Sequence, residues 1–412
     1  MGNLDGSGGA GVSDTQNMNQ TGDMNRELFH SLKEETGGHG GDLQAAAAAF
    51  ARTEDTFCDF SSNINPMGPP AGLVDELQQH LKTDILKYPV PQARTLRSAL
   101  AHAFSVPEGR LMVGNGASEL IHLFFLWLRP RKTVIPAPTF SEYQRGALLA
   151  GSEVEDVSLY PNSSIQPEAF YDRVGKGDCL VFCNPNNPTG TYYPRHILEP
   201  IIDGALSRGA TVLLDESFFL LTGRPLDEGF FRTDKPNLWT VVSLTKLWAL
   251  PGIRLGFLAG PEIKLEPISR LGDPWRVNAL AQRAGLYCLQ NSGDYVQASI
   301  QMIKEERAFM MEKLAAFRKL TVFDSAANYL LVRGNCKGFS STELHHRLAA
   351  RGVLVRNAAN FPGLDSRYFR IAIRGRRENL KLLEALKAAI SEMTKIHETN
   401  NTTTGSEYRE NE

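Results

Sequence analysis

The chain has 412 residues, of which 42% are apolar and 22% charged, with a formal net charge of −2. That length allows more than one domain and a large core, and the near-neutral balance gives no bulk attraction to nucleic acid or an anionic membrane. No apolar run approaches the ~18 residues that span a bilayer, and the N-terminus lacks the basic-then-apolar pattern of a secretory signal. Five cysteines without a C-x-x-C pair argue against zinc or redox work, so no metal is expected and a reducing cytoplasm is the expected compartment.

Residues 1–38 are rich in Gly, Asn, Ser, Asp and Met, a composition that predicts disorder. The tail from Glu398 onward reads the same way. His39-Gly40-Gly41-Asp42 opens the ordered part, as a glycine turn before an alanine-rich helix over Gln44–Arg52. Asp59 to Pro70 (D-F-S-S-N-I-N-P-M-G-P-P) is too rich in proline and polar residues for a regular element. Such a loop with several amides is often functional, although Asn is also an ordinary turn residue. A short helix over Leu73–Leu81 comes next, and Lys87-Tyr88-Pro89 is extended because proline biases its predecessor away from helix. Tyr88 by itself fits packing and function equally.

From Arg110 onward, apolar runs alternate with amphipathic stretches. The runs are Leu111–Val113, Thr133–Ile135, Glu153–Val157, Cys179–Cys183, Thr211–Leu214, Trp239–Ser243 and Leu255–Ala259. Between them, Ser118–Leu128, Ser141–Ala150 and Ile197–Arg208 carry helical periodicity. This alternation predicts an α/β fold, a mostly parallel sheet with helices on both faces. Cys179 and Cys183 share a face of one buried strand, which makes them buried free thiols. The final third differs: a long helix over Ser299–Phe317, strands over Tyr329–Val332 and Arg370–Ile373, and a closing helix over Arg377–Ile396. That reads as a smaller α+β unit.

Four motifs sit at strand ends. Gly114-Asn115-Gly116-Ala117-Ser118-Glu119 joins a strand to a helix, and free N–H groups at a helix start attract an anion such as phosphate. A plain N-cap by Ser118 explains the same residues. Asn184-Pro185-Asn186-Asn187-Pro188-Thr189-Gly190 is a stiff turn at a strand's carboxyl end, where ligands of open α/β sheets bind. Asp215-Glu216-Ser217 puts a carboxylate at such an edge, where it needs a partner such as a protonated heterocyclic nitrogen, unless it is a helix cap. Ser243-Leu244-Thr245-Lys246, with Arg254 behind it, offers an amine beside a hydroxyl and a guanidinium. A lysine in a partly dry pocket has a lowered pKa and forms Schiff bases with aldehydes, while a loop lysine is the plainer alternative.

An amine nucleophile, a carboxylate for a ring nitrogen, an amide for a ring hydroxyl and a cradle for a phosphate are together what pyridoxal 5'-phosphate needs. On these motifs, in this order and spacing, the chain from His39 to Ile396 resembles the fold-type I aminotransferase family. The resemblance implies that Lys246 attaches the cofactor, Asp215 pairs with its ring nitrogen and Asn187 bonds its ring hydroxyl. It also implies that Ala117, Ser118, Ser243 and Arg254 hold the phosphate and that Phe140 stacks on the ring. A tyrosine at the position of Tyr88 reaches the phosphate of a neighbouring subunit in that family, which implies a homodimer. The implied division is residues 39–82 and 298–397 for a small domain and 83–297 for a large cofactor-binding domain, between an extension (1–38) and a tail (398–412).

Two branches of the family are similar to the chain: histidinol-phosphate aminotransferases, with an Asn-rich loop like Ser62–Pro66, and threonine-phosphate decarboxylases of the cobalamin pathway. The latter share the leading His-Gly-Gly, the D-F-S-x-N-I-N-P-x-G-P-P stretch and the run Asn360 to Arg374 (N-F-P-G-L-D-S-R-Y-F-R-I-A-I-R). The expected activity is therefore decarboxylation of L-threonine O-3-phosphate, with transamination of histidinol phosphate or decarboxylation of serine phosphate as alternatives. Arg370 matches the family's carboxylate-binding arginine and Arg356 a substrate-phosphate position, with His39 and Asn63 as further pocket residues. Arg367 and Arg374 fit either a binding or a structural role. Phe218 stands where aminotransferases usually carry a tyrosine that also bonds the ring hydroxyl, so the cofactor oxygen is expected to have one partner fewer. Regulators related to aminotransferases carry a DNA-binding domain ahead of the fold, which residues 1–38 are too short and polar to supply.

Overall fold

A computed structural model describes residues 40–159, 166–336 and 338–406. The expected disorder of residues 1–38 and the pocket role of His39 lie outside these residues, as does the end of the tail after Ser406. The described residues from Gly41 onward belong to one compact unit.

Seven of the strands form one sheet. They are β2 (Leu111–Gly114), β3 (Lys132–Ala137), β4 (Glu153–Ser158), β5 (Cys179–Cys183), β6 (Thr211–Asp215), β7 (Leu238–Ser243) and β8 (Gly256–Ala259), in the order β2-β8-β7-β6-β5-β3-β4. All neighbours are parallel except β8, which runs antiparallel to both β2 and β7. Side chains alternate between the faces with the strand period of two. Val181, Leu213 and Val241 face the helices Ala117–Leu128, Ser141–Leu149 and Glu262–Leu271. Their neighbours Leu180, Phe182, Val212 and Leu214 face the helix Arg195–Ser207, and Val242 faces the helices Arg94–Phe104 and Ala279–Asn291. Burial on both faces is why these strands read as unbroken apolar runs. Cys179 and Cys183 lie buried on one face, and all five cysteines are free.

A second, antiparallel sheet has the order β12-β13-β10-β9, from β9 (Leu320–Val322), β10 (Tyr329–Gly334), β12 (Arg356–Asn357) and β13 (Tyr368–Ala372). One face, carrying Leu330, Val332, Phe369 and Ile371, packs on the helices Gly293–Ala315, Ser341–Ala350 and Arg376–Ser406. The opposite face carries Tyr329 and Arg370, with Arg356 directly across from Arg370. The chain's start is tied in here, because β1 (Cys58–Asp59) pairs in parallel with β11 (Val353–Leu354).

Several boundaries differ from the sequence reading, among them the ends of three helices. The long helix begins at Gly293, six residues before the expected Ser299, because it comes after the preceding helix with only Ser292 between them. The first helix is Leu43–Ala49, with Asp42 as its N-cap accepting from the Ala45 N–H, and it stops before Arg52. The closing helix runs on to Ser406 instead of ending at Ile396, so the tail expected to be disordered from Glu398 is helical over part of its length. Extending an existing helix costs far less than nucleating one, which lets a Thr- and Asn-rich segment continue it. Among the described residues, no helix is long and apolar enough to cross a membrane.

Leu213 is fully buried in the middle of β6, two residues before Asp215. Leu213→Ala should lower unfolding free energy by about 2–5 kcal/mol, measured by urea titration. A loss well below 1 kcal/mol would show that this strand is not packed as described.

Candidate active site

In the large sheet β2, β3, β5, β6 and β7 all run the same way, so their carboxyl ends share one edge. That edge gathers Ala117 and Ser118 after β2, Phe140 after β3, Asn187 after β5, Asp215 at the end of β6, and Lys246 just past β7. The reversed β8 begins at the same edge, which places Arg254 there as the residue two before it. Three X–Pro bonds at this edge are cis: Ala137-Pro138, Asn184-Pro185 and Asn187-Pro188.

Lys246 lies on the single helical turn Leu244–Leu247 and is only partly exposed. Burial, aided by the positive charges of Arg370 and Arg254 and opposed by Asp215, lowers its amine to about 8. Asp215 is buried, and one oxygen accepts from the Ser217 N–H at 2.7 Å while the other accepts from the Tyr143 hydroxyl at 2.6 Å. Burial raises its carboxyl above the usual range, against the pull of those two donors and of Lys246. These contacts leave the carboxylate short of a close cation of its own.

The Gly114–Glu119 turn leaves a helix start uncapped. Gly116 is the N-cap with φ +83°, and no side chain bonds the first N–H groups, so Ser118 is not a plain N-cap. Glu119 accepts from the Asn115 N–H instead. The Arg254 guanidinium lies against Gly116, where an added Cβ would be 2.7 Å from Nη2. Ser243 is buried at the end of β7. An uncapped helix start and a guanidinium therefore meet at one spot suited to an anion, with Ser118 and Ser243 at the same sheet edge.

The small sheet supplies the remaining cations from the face that carries Tyr329. Arg370 is buried, donating through Nη1 to the Asn187 side-chain oxygen and through Nη2 to the Ser61 carbonyl at 2.6 Å, while its Nε has no partner. Burial, together with Arg356, pulls this guanidinium down to about 9. Arg356 is held by the Asn357 carbonyl and the Asn360 side chain, lies over the Phe361 ring, and is lowered to about 10 by burial. Asn63 is 3% exposed and its side-chain oxygen has no partner, whereas the nearby Asn65 is used up on the Leu247 carbonyl and Ser299.

Tyr88 stands apart from this assembly, 84% exposed and packed on Trp275 with ring centroids 4.9 Å apart. Arg367 and Arg374 are ion-paired with Asp365 and Glu378. Phe218 is buried edge-on to Tyr329. Sequence reasoning missed Tyr143, whose fully buried hydroxyl reaches Asp215 and whose ring meets Phe140 edge-on at 5.7 Å. Its only signal was a tyrosine on the helix three residues beyond Phe140. Among the described residues, no cluster of His, Cys, Asp or Glu is placed to hold a metal ion.

The donor set fits pyridoxal 5'-phosphate. A lysine with a lowered pKa meets an aldehyde's requirement, the buried Asp215 carboxylate that of a protonated ring nitrogen, and the uncapped helix start with Arg254 that of a phosphate. With the Asn187 oxygen taken by Arg370, its amide N–H is left to donate to a ring hydroxyl.

The family model described as aminotransferase class I and II matches residues 55–386. A threonine-phosphate decarboxylase of Salmonella typhimurium is 37% identical over 358 residues, covering 86% of this chain and 96% of the relative. A histidinol-phosphate aminotransferase of Desulfitobacterium hafniense is 30% identical over 336 residues, covering 79% and 89%. The crystal structure of L-threonine-O-3-phosphate decarboxylase from Porphyromonas gingivalis superposes with a TM-score of 0.72 at 25% identity, over 81% of this chain and 99% of that one. The chain thus belongs to the class I and II aminotransferase family, as an enzyme whose cofactor is pyridoxal 5'-phosphate.

Proposed function

We propose that this enzyme decarboxylates L-threonine O-3-phosphate to (R)-1-aminopropan-2-yl phosphate, a step of cobalamin biosynthesis. The observation that carries this reading is the direct opposition of Arg356 and Arg370 across β12 and β13. Like charges directly opposite on paired strands repel, and burial pulls both guanidiniums down. A substrate with two anionic groups offsets both costs, and threonine phosphate brings a carboxylate and a phosphate. Histidinol phosphate has no carboxylate, but the 2-oxoglutarate of the alternative transamination has two, so the arginine pair favours a doubly anionic ligand and the relatives favour the decarboxylase. The 37% identity to a threonine-phosphate decarboxylase supports the same choice.

Pyridoxal phosphate, when bound, supplies an electron sink for the bond broken at the substrate's Cα. The chain supplies the rest of the chemistry. Asp215, fixed by Tyr143 and Ser217, keeps a proton on the ring nitrogen, and Asn187 orients the ring through its hydroxyl. Ala117, Ser118, Ser243 and Arg254 anchor the cofactor phosphate and Phe140 covers the ring. Arg356 takes the substrate phosphate, Arg370 the carboxylate, and Asn63 and His39 line the pocket. Lys246 attaches the cofactor between turnovers and delivers the proton that replaces the lost carboxylate. The division into a large domain (83–297) and a small one (39–82 with 298–397) belongs to the same reading.

The rate of cofactor attachment tests Lys246. Only the neutral amine attacks an aldehyde, and an amine held near 8 is neutral in about one molecule in ten at pH 7. Attachment to cofactor-free protein, followed by absorbance, should rise about tenfold per pH unit below pH ~8 and level off above it. Lys246→Arg should abolish it. A rate indifferent to pH, or attachment in the variant, refutes the assignment.

Product analysis tests the reaction. Purified enzyme given threonine phosphate should release carbon dioxide and no stoichiometric 2-oxo acid. Arg356→Ala should raise KM at least about tenfold, the scale of one charged hydrogen bond. Dominant exchange between histidinol phosphate and 2-oxoglutarate would establish the aminotransferase instead.

The active unit in this reading is a homodimer in which Tyr88 reaches the partner's cofactor phosphate. Its support here is exposure: Ile85, Leu86, Tyr88, Leu271 and Trp275 present a large apolar surface around one extended segment. Sedimentation at micromolar concentration should give a dimer, and a fully active monomer would overturn this.

A further inference from the structure

Tyr329 occupies a position that neither substrate nor cofactor reasoning calls for. It is fully buried, yet its hydroxyl donates to the carbonyl of Asn186 at 2.8 Å, across to the loop that carries Asn187. Its ring lies beneath the Arg370 guanidinium, 5.3 Å from Cζ to centroid, and meets Phe218 edge-on at 4.9 Å. On β10 it precedes Leu331, the register partner of Arg370, by two residues, so it shares the face of Arg370. The segment leading into β10 is docked on the same loop: Ala326 donates to the Gly190 carbonyl at 2.8 Å, and a Cβ on Gly190 would be 2.6 Å from Ser325 Cβ.

One side chain therefore touches both parts of a single relay. Arg370 donates to Asn187, and Tyr329 holds the guanidinium from one side and the backbone beside Asn187 from the other. A guanidinium over an aromatic ring is restricted in tilt as well as position. Each Nη has given one of its two hydrogens, to Asn187 and to Ser61, while the buried Nε–H has no partner, so Nε and a remaining Nη hydrogen are left to fork a carboxylate. The plane of the guanidinium then sets the plane in which a carboxylate is gripped.

We propose that Tyr329 is a positioning residue for reaction specificity: by fixing the tilt of Arg370 relative to Asn187, it determines which bond at the substrate's Cα is broken. This rests on the reading of the site given above. Only a bond perpendicular to the cofactor ring shares its electrons with the ring. With the carboxylate held perpendicular, the Cα–C bond breaks, its electron pair stays behind, carbon dioxide leaves and a proton takes its place at Cα. With the Cα–H bond perpendicular instead, its proton would go to Lys246, water would release the carbon skeleton as a 2-oxo acid, and the amino group would stay with the cofactor. Phe218, which packs on the Tyr329 ring without a hydroxyl to compete for the loop, completes the arrangement.

The test uses holoenzyme, wild type beside Tyr329→Phe and Tyr329→Leu. The first readout is the ratio of carbon dioxide released to cofactor left in its amine form, during turnover of O-phospho-L-threonine. Tyr329→Phe, which loses only the bond to Asn186, should shift this ratio at least about tenfold while KM stays within about threefold. An unchanged ratio, with kcat and KM altered or not, means that Tyr329 only packs and overturns the proposal. The second readout needs no turnover: 2-oxoglutarate, which has the carboxylate but no amine, should bind about fivefold more weakly to both variants by calorimetry. If the wild type releases no carbon dioxide from phosphothreonine, the decarboxylase reading fails by itself. The binding measurement then decides on Tyr329, with unchanged affinity in the Phe variant counting against it.

Discussion

The site depends on too much positive charge in too little water. Lys246, Arg254, Arg356 and Arg370 converge on one cleft with Asp215 as the buried carboxylate among them. Burial disfavours the charges of Lys246, Asp215, Arg356 and Arg370, and the effect on each is different. The lysine responds by losing its proton more readily, which makes it a nucleophile. The arginines cannot give up theirs at neutral pH, so they are left as standing demand for anions. In the proposed reading, cofactor phosphate, substrate phosphate and substrate carboxylate would satisfy that demand.

Holding such charges in place requires rigid supports, and the supports are strand ends. Parallel strands deliver the residues just beyond them to one edge, and the one reversed strand delivers its preceding residue, Arg254, to the same edge. The backbone there is bound tightly enough to tolerate unusual conformations. Gly116 has φ +83° against the Arg254 guanidinium, and Arg254 itself has φ +64°. Across the cleft, Arg370 reaches Asn187 and Ser61, and Tyr329 reaches Asn186, so the small sheet is hydrogen-bonded to the loops that frame the cofactor site. An anion bound on Arg370 would therefore be felt at Asn187 through a single hydrogen bond.

The range over which each physical effect acts separates the features legible in the sequence from those that were not. Six of the seven strands of the large sheet stood out because burial leaves little but apolar residues in each run, whereas the edge strand β4 is largely exposed and was legible only by its alternation. The motifs Asn184–Gly190, Asp215–Ser217 and Ser243–Lys246 stood out because a polar group directly after such a run needs a reason to be there. Arg356 and Arg370 were visible through family likeness, but their being cross-strand partners was not, since fourteen positions separate them and register is a property of pairing. Tyr143 and Tyr329 were unreadable for a related reason: each is an ordinary aromatic inside an apolar element, and only its hydroxyl's partner, 72 and 143 residues away, distinguishes it.

The chain by itself determined the class of fold, the edge at which chemistry would occur and the residue types present there. Those arise from periodicity and from the cost of burying a polar group, both local along the chain. Tertiary structure alone decided that β8 is reversed and that Gly116, not Ser118, heads its helix. It also separated two loop amides that look alike in the sequence: Asn65 is spent on Leu247 and Ser299, whereas Asn63 keeps an unpartnered oxygen. Each of these turns on which distant group arrives within about 3 Å, and no spacing in the sequence encodes that arrival.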